Sequence, residues 1–272
     1  LRPDEGRVAD FRRAVLSHYA REGRDLPWRA PCGEYGILVS EIMLQQTQVA
    51  RVLGKWGPFI ERFPGFAELA DAPLAEVLKE WIGLGYNRRA KALHECARIV
   101  ARDHGGALPR GADALEELPG IGRYTARAIS CFAHGEPEVF IETNIRAAVI
   151  HSFFPGSELV RDSEIEEVLE LALDREDPKT WYYALMDYGA TLKALIANPG
   201  RRAAAYRPQS PFKGSAREAR GAALRELAIR SPASAPLLAE RSGISYERML
   251  LALESLVSEG FVTEDGGGYR LA

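Results

Sequence analysis

Leu118-Pro119-Gly120-Ile121-Gly122-Arg123-Tyr124-Thr125 is the stretch on which the fold of this 272-residue chain turns. A helical stretch ends before it, two glycines separated by one apolar residue turn the chain tightly, and a new helix is predicted near Arg123. Such a hairpin leaves backbone N–H groups unpaired at a helix N-terminus, where the macrodipole favours an anion. With no side chains at Gly120 and Gly122, a phosphate can approach the backbone. Nothing in the segment reads bases, so the contact it predicts is sequence-independent positioning of a nucleic acid strand. The alternative is a structural turn and no more.

On both sides of the hairpin helical periodicity dominates. Residues 7–20 place Val8, Phe11, Val15 and Tyr19 on one stripe, and residues 37–51 and 66–79 give further apolar-rich stretches. In 88–101 the residues Leu93, Cys96, Ala97 and Val100 share a face, so Cys96 reads as a core residue. Ser163 and Glu166 read as a capping box ahead of the next helix, and 181–194 form another. Short breaks fall at Gly57-Pro58, Pro64-Gly65 and Gly105-Gly106. No segment before about residue 197 alternates as a strand should. Composition shifts at Asn198-Pro199-Gly200, after which helices are expected at 216–230, 235–241 and 245–259. Phe261-Val262-Thr263 and Tyr269-Arg270-Leu271 then flank a glycine-rich turn, giving a small winged helix-turn-helix pattern.

Composition narrows the function. Hydrophobic residues are 46% and charged residues 27%, which fits an ordinary globular protein. No apolar run approaches the roughly 20 residues of a membrane span, and Leu1–Arg7 lacks a signal-peptide core, so a cytoplasmic, nucleoid-associated location without membrane contact is expected. Three scattered cysteines, Cys32, Cys96 and Cys131, argue against a disulfide framework and a thiolate metal site. Net charge is −3, yet residues 201–230 hold eight basic residues against two acidic ones. That local excess points to a polyanion, with a solvated linker as the alternative.

The hairpin, followed about twenty residues later by Phe140-Ile141-Glu142-Thr143-Asn144-Ile145-Arg146, resembles the helix-hairpin-helix DNA glycosylases. Ser40-Glu41-Ile42-Met43-Leu44-Gln45-Gln46-Thr47-Gln48-Val49, preceded by Leu26-Pro27-Trp28-Arg29, is similar to the MutY-type adenine glycosylase branch. Gly83-Leu84-Gly85-Tyr86 and Leu185-Met186-Asp187-Tyr188-Gly189 fit the same branch. The resemblance spans roughly residues 8–195. It implies an all-α, two-lobed helix-hairpin-helix fold with a DNA cleft between the lobes. The expected organisation is a glycosylase domain over 1–197 (central lobe about 30–135), a basic linker over 198–214, and a winged-helix-like α+β module over 215–272.

Each site residue then carries an expected role. Glu41, among apolar neighbours, corresponds to the acid that protonates a purine ring nitrogen; a desolvated carboxyl can keep its proton near neutral pH. Glu142 stands where the family places Asp, to stabilise positive charge on the sugar. With Thr143 replacing the family's usual glycine, the alternative is a helix capped by Asn144 with Glu142 on the surface. Tyr124 occupies the position at which bifunctional relatives hold the Schiff-base lysine, so hydrolysis by water is implied. The catalytic set is Glu41, Glu142, Tyr124 and Asn144. For DNA the resemblance and the charge pattern assign Gln45 or Gln46 as a wedge into the vacated stack, with Thr47, Gln48, Tyr86, Gly120, Gly122, Arg123, Arg29, Arg201, Arg202 and Arg207 as further contacts.

Two departures from the family matter. Relatives usually continue into four cysteines that hold an iron–sulfur cluster. Here no cysteine follows Cys131 and no cluster is expected. Arg201, Arg202, Arg207 and Lys213 are expected to assume its phosphate contacts instead, with a monovalent cation at the hairpin as the remaining candidate ligand. Second, adenine glycosylases commonly carry a C-terminal domain that inspects 8-oxoguanine, whereas here the winged module is expected. Its candidate recognition helix exposes Glu247, Glu254 and Glu259 with Arg248 as its basic residue, a poor match to a major groove. A structural or repair-protein-binding role for the module is an equal alternative. The expectation is a monomeric, monofunctional glycosylase acting on mismatched or damaged duplex DNA, adenine opposite 8-oxoguanine or guanine being the leading substrate. Thymine or uracil opposite guanine is the second reading, and a non-catalytic DNA-binding protein the third.

Overall fold

The computed structural model describes residues 4–208 and 210–272. Its helices are α1 Glu5–Glu22, α2 Gly33–Leu44, α3 Val49–Arg62, α4 Phe66–Asp71, α5 Leu74–Trp81, α6 Arg88–Asp103 and α7 Ala112–Glu116. They continue as α8 Arg123–His134, α9 Thr143–Phe153, α10 Asp162–Ala172, α11 Pro178–Leu195, α12 Ala216–Ile229, α13 Ala235–Ser242 and α14 Tyr246–Ser258. One antiparallel hairpin, β1 Val262–Asp265 and β2 Gly268–Leu271, ends the chain. The helical array with a small terminal α+β piece is therefore the observed architecture.

The chain divides into two compact units that interleave in sequence. One comprises Leu1–Ile37, Pro109–Glu117 and Ile121–Pro208; the other comprises Leu38–Leu108, Leu118–Gly120 and Gln209–Ala272. This differs from the linear domain boundaries read from composition. The C-terminal helices and hairpin do not stand apart: α12 and β2 pack on α5, and Arg88 and Arg220 both bind Glu259 at the end of α14. A composition shift marks where a chain changes character, whereas apolar contact decides what it packs against.

The core of the first unit is aromatic. Phe11 of α1 meets Phe153 and Trp181 edge-on at 5.1 and 6.0 Å, Phe132 stacks on Tyr183 at 4.7 Å, and Phe140 on Tyr182 at 3.9 Å. Such pairs add about 0.5–1.5 kcal/mol each beyond area burial. Asp4 caps α1 by accepting from Gly6 and Arg7. The expected capping box lies two residues earlier than read: α10 begins at Asp162, and Glu164 accepts the Arg161 N–H at 2.9 Å.

In the second unit Gly57-Pro58 does not break the chain. The apolar period Val52, Trp56, Phe59 carries α3 through it, and Pro58 lies on the exposed face, where the carbonyl it leaves unbonded can be hydrated. Phe59 packs edge-on against Phe63 and Trp81 at 5.1 and 6.1 Å. Cys96 is fully buried, which pushes its thiol up to about 12 and fits the core role expected of it. The terminal strands run further into the turn than expected, β1 by two residues and β2 by one, pairing Val262 with Leu271 and Asp265 with Gly268. Gly266 and Gly267, both at positive φ, close that two-residue loop.

Candidate active site

Residues 138–141 form an irregular, tightly held approach to Glu142. The Tyr182 hydroxyl donates to the Glu138 carbonyl at 2.8 Å and accepts the Phe140 N–H at 3.3 Å, and Arg127 donates to the Val139 carbonyl at 2.8 Å. Burial pushes the Tyr182 phenol above its ordinary pKa, so it remains a neutral donor. Glu142 follows in extended backbone and is itself the N-cap of α9. Its Oε1 accepts the N–H groups of Asn144 and Ile145 at 2.7 and 2.9 Å. Its Oε2 accepts from Thr143 Oγ1 at 3.1 Å and Asn144 Nδ2 at 3.2 Å. The alternative in which Asn144 caps this helix is thereby replaced. The extra methylene of Glu, compared with Asp, is taken up by folding the carboxylate back over the helix end.

Asn144 is oriented from its other side. Lys193 Nζ donates to Asn144 Oδ1 at 2.8 Å, which leaves the amide nitrogen facing Glu142. The approach of α9 to α11 depends on Gly189. A Cβ there would stand 2.6 Å from the Asn144 carbonyl carbon and nearer still to its oxygen. The result is a half-buried carboxylate held by four donors at a helix N-terminus, which limits its movement. Tyr124 on α8 belongs to the same neighbourhood, edge-on to Phe140 at 5.8 Å. Glu142 and Asn144 thus come together in the first unit, while Tyr124 is placed against Phe140, two residues before Glu142.

The Asp187 carboxylate, 1% exposed, is not a surface feature of α11 but a buried hub. Arg29 binds it through both guanidinium nitrogens at 2.8 and 2.7 Å, and Arg24 through its backbone N–H and Nε at 2.8 and 2.7 Å. Desolvation alone would raise this carboxyl; the hydrogen bonds from Arg29 and Arg24 reverse that and hold it below the usual range. The expected DNA role of Arg29 is corrected accordingly, because its side chain is 8% exposed and spent on Asp187. Arg24 and Lys193 are the residues that reading the sequence missed here, and Asp187 entered it only as part of a motif, without a role. An Asp among apolar helix positions was the available signal.

Arg202 needs the same correction. Its guanidinium donates to the carbonyls of Ile150, Phe154, Pro155 and Ser157, tying off the end of α9. Arg207 donates to the Ala204 and Tyr206 carbonyls, while Arg201 is exposed. The segment after α11 offers no thiolate to an iron–sulfur cluster, so the residues present do not fit that group. Backbone pairing of Val160 with Arg202 and Ala204, at 2.9 and 2.8 Å, closes the segment instead.

The second unit holds Glu41 and the polar turn after it. Glu41 lies in α2 at 8% exposure beside fully or nearly fully buried Ser40, Ile42 and Met43. Gln45 Nε2 donates to the Gly120 carbonyl at 3.2 Å, while Gln46 is exposed at φ 54°. Gln48 starts α3 with its side chain exposed. Arg89, also missed in the sequence, organises this turn. It donates to the carbonyls of Ile42, Met43 and Gln45 through one nitrogen, and to Thr47 Oγ1, Leu84 and Gly85 through the other. Burial lowers its pKa to about 10, still charged at neutral pH. Tyr86, at φ 48°, accepts a hydrogen bond from Arg217 at 3.0 Å.

The two hairpin glycines turn out to have different reasons. Gly120 has φ +81°, and a Cβ on it would stand 2.8 Å from the Ala92 Cβ of α6. Gly122 has ordinary extended backbone, and the space beside it is open. Gly122 and Arg123 are exposed at the start of α8, and the N-cap residue, Gly122, has no side chain with which to cap the helix.

A model of the HhH-GPD superfamily of base excision DNA repair proteins matches residues 39–176, which include Glu41, Tyr124, Glu142 and Asn144. The chain belongs to this superfamily. It is 43% identical over 182 residues to the adenine DNA glycosylase of Mycobacterium tuberculosis (strain ATCC 25618 / H37Rv), covering 65% of this chain and 60% of that protein. The Mycolicibacterium smegmatis adenine DNA glycosylase is 46% identical over 182 residues, 65% of this chain and 61% of that one. The chain thus spans about three fifths of the length of these curated relatives. Among solved structures, a thermostable thymine-DNA glycosylase superposes with a TM-score of 0.62 at 26% identity, covering 71% of this chain and 91% of that one. A trapped endonuclease III–DNA covalent intermediate shares the fold, with a TM-score of 0.58 at 18% identity, covering 77% and 91%.

Proposed function

We propose that this superfamily member is a monofunctional DNA glycosylase of base excision repair that removes adenine from a mispair with 8-oxoguanine or guanine in duplex DNA. The observation that carries the reading is the 43–46% identity to proteins named adenine DNA glycosylase. The site chemistry supports it. Glu41, desolvated within α2, donates a proton to a ring nitrogen of the extruded purine, so the glycosidic electron pair leaves with a neutral base. The Glu142 carboxylate, fixed by its four donors, offsets the positive charge that grows on the sugar. Water then adds to the sugar carbon, releases a proton to solvent and yields an abasic site. Tyr124 has no amine with which to form a Schiff base, so strand cleavage does not follow. Gln45 is engaged with Gly120, which leaves exposed Gln46 as the wedge. The enzyme works without an iron–sulfur cluster, Arg202 securing the segment the cluster would occupy.

A second reading, excision of thymine or uracil opposite guanine, is favoured by 34% identity over 148 residues to the Methanothermobacter thermautotrophicus thymine/uracil-DNA glycosylase (54% of this chain, 66% of that one). One assay separates the two. Duplexes containing A:8-oxoguanine, A:G, T:G, U:G or hypoxanthine are incubated with the protein and treated with alkali to reveal abasic sites. Breaks confined to the adenine strands support the proposal, and breaks confined to T:G and U:G replace it with the second reading. Glu41→Gln should bind duplex but release no base; retained single-turnover excision would remove Glu41 from its role. A strong borohydride-trapped adduct would overturn the monofunctional assignment.

A further inference from the structure

The second unit contains a groove of about 1180 Å³ with two walls of different origin. One wall is the Gln45–Gln48 turn with Arg51 of α3, together with residues 82–89; the other is α12 of the C-terminal segment, flanked by Ser242, Ile244 and, at the end of α14, Ser255 and Glu259. Among the described residues, the non-glycine positions with positive φ are Gln46 and Tyr86, and both line this groove. Left-handed backbone is unfavourable at a residue with a β-carbon, and such outliers gather where geometry serves function. The two walls are also joined there. Arg217 of α12 donates to the Tyr86 hydroxyl at 3.0 Å, with its guanidinium 6.0 Å from the ring centre, and is anchored behind by the Ser210 carbonyl and hydroxyl.

Charge says what the groove takes. Six arginines and two glutamates line it, and both glutamates are already matched: Glu259 with Arg88 and Arg220, Glu218 with Arg248. Arg89 is spent on carbonyls. Arg51 and Arg225 are exposed, and among the described residues neither makes an ion pair or side-chain hydrogen bond. The surface of α14 has the opposite character. Its exposed positions include Tyr246, Glu247, Leu251, Glu254 and Val257, and its one arginine, Arg248, is held by Glu218.

We propose that α12, rather than α14, is the nucleic-acid-facing helix of the C-terminal module. It closes this groove around the sugar–phosphate backbone of a DNA strand, with Arg51 and Arg225 contacting phosphates from opposite walls and Arg217 holding Tyr86 in place. The inference rests on the glycosylase reading for its DNA ligand and extends it to a helix outside the residues matched by the superfamily. Backbone contacts position a duplex without reading sequence, so the groove supplies grip and register, not base choice.

The test uses the full chain and fluorescence anisotropy on an A:8-oxoguanine duplex, titrated with potassium chloride from about 50 to about 200 mM. Arg225→Glu and Arg51→Glu, checked for unchanged melting temperature, should each weaken binding roughly tenfold and lower the slope of log K against log salt by about one or more. Glu254→Ala on α14 should leave both unchanged. Affinity and slope within twofold of the parent in the double reversal would overturn the proposal. So would a Glu254→Ala effect as large as that of Arg225→Glu, or an arginine dependence seen with single-stranded RNA and not with duplex DNA. Base release, scored separately, keeps the two readings apart. Arginine-dependent binding without excision would spare the groove and sink the activity, whereas excision with arginine-independent binding would do the reverse.

Discussion

Replacing Gly189 by alanine should damage the Glu142 site without touching it. The added Cβ would lie 2.6 Å from the Asn144 carbonyl carbon, where ordinary contact begins near 3.4 Å. Both sides of the clash are helix backbone, so no side chain can swing aside and α9 must move from α11 by roughly 1 Å. Overpacking of this kind costs about 1–3 kcal/mol, and the rigid partners place it at the upper end. Alanine recovers nearly 1 kcal/mol of helix propensity, so a net loss of about 2 kcal/mol is expected. For a protein of this size that corresponds to a melting temperature lower by roughly 4–8 °C. Displacing Asn144 also displaces the donors on Glu142, and an error of about 1 Å in a reacting group can cost roughly a hundredfold in rate. The assays are thermal melting and single-turnover base release at saturating duplex. A variant with unchanged melting temperature and rate would refute the argument that close helix approach sets the Glu142 carboxylate. A variant less stable but fully active would refute the second half alone.

Other outcomes follow from the same geometry. Lys193→Met frees the Asn144 amide to rotate and should slow single-turnover excision roughly tenfold at unchanged melting temperature; recovery by Lys193→Arg would confirm a positioning role, and an unaffected rate would remove it. Gly120→Ala combines a left-handed backbone at φ +81° with a Cβ 2.8 Å from that of Ala92, so it should lose about 2 kcal/mol or more, read by urea unfolding. Gly122→Ala, in open space with extended backbone, should leave stability nearly unchanged and weaken duplex binding instead. The Glu259 carboxyl is held down at about 2, first by Arg88, then by Arg220 and Ser255 against a desolvation penalty. A depressed folded-state pKa gives stability that is present above the ordinary 4.5 and is lost as pH falls toward 2. Melting curves across that window should fall more steeply for the parent than for Glu259→Gln; parallel curves would show that the cluster does not hold the module.

Much of the fold was legible because helices announce themselves locally. The stripe Val8-Phe11-Val15 and the face Leu93-Cys96-Val100 state their buried side through spacing alone, and both are buried as read. The terminal hairpin was equally legible from its glycines. The helix in α3 was harder, because Gly57-Pro58 is a strong local break and only the continuing apolar period overrules it. The site residues divide in the same way. Glu41 and Glu142 stood out as carboxylates in recognisable surroundings, yet the folded-back cap that fixes Glu142 involves a lysine 51 positions later in the sequence.

By itself, then, the amino-acid sequence determined the helices, the hairpin at 118–123 and the acidic and aromatic residues offered to a site, since each follows from the periodicity and chemistry of neighbouring residues. Which charges remain available to a ligand was decided by tertiary structure alone. Arg29 and Arg202 look as cationic in the sequence as Arg51 and Arg225, but burial against Asp187 and the end of α9 uses up the first pair and leaves the second facing solvent. The reason is that a guanidinium's partners are set by whatever carboxylate or unpaired carbonyl the fold brings to it, often more than a hundred residues away, and no local pattern records that distance.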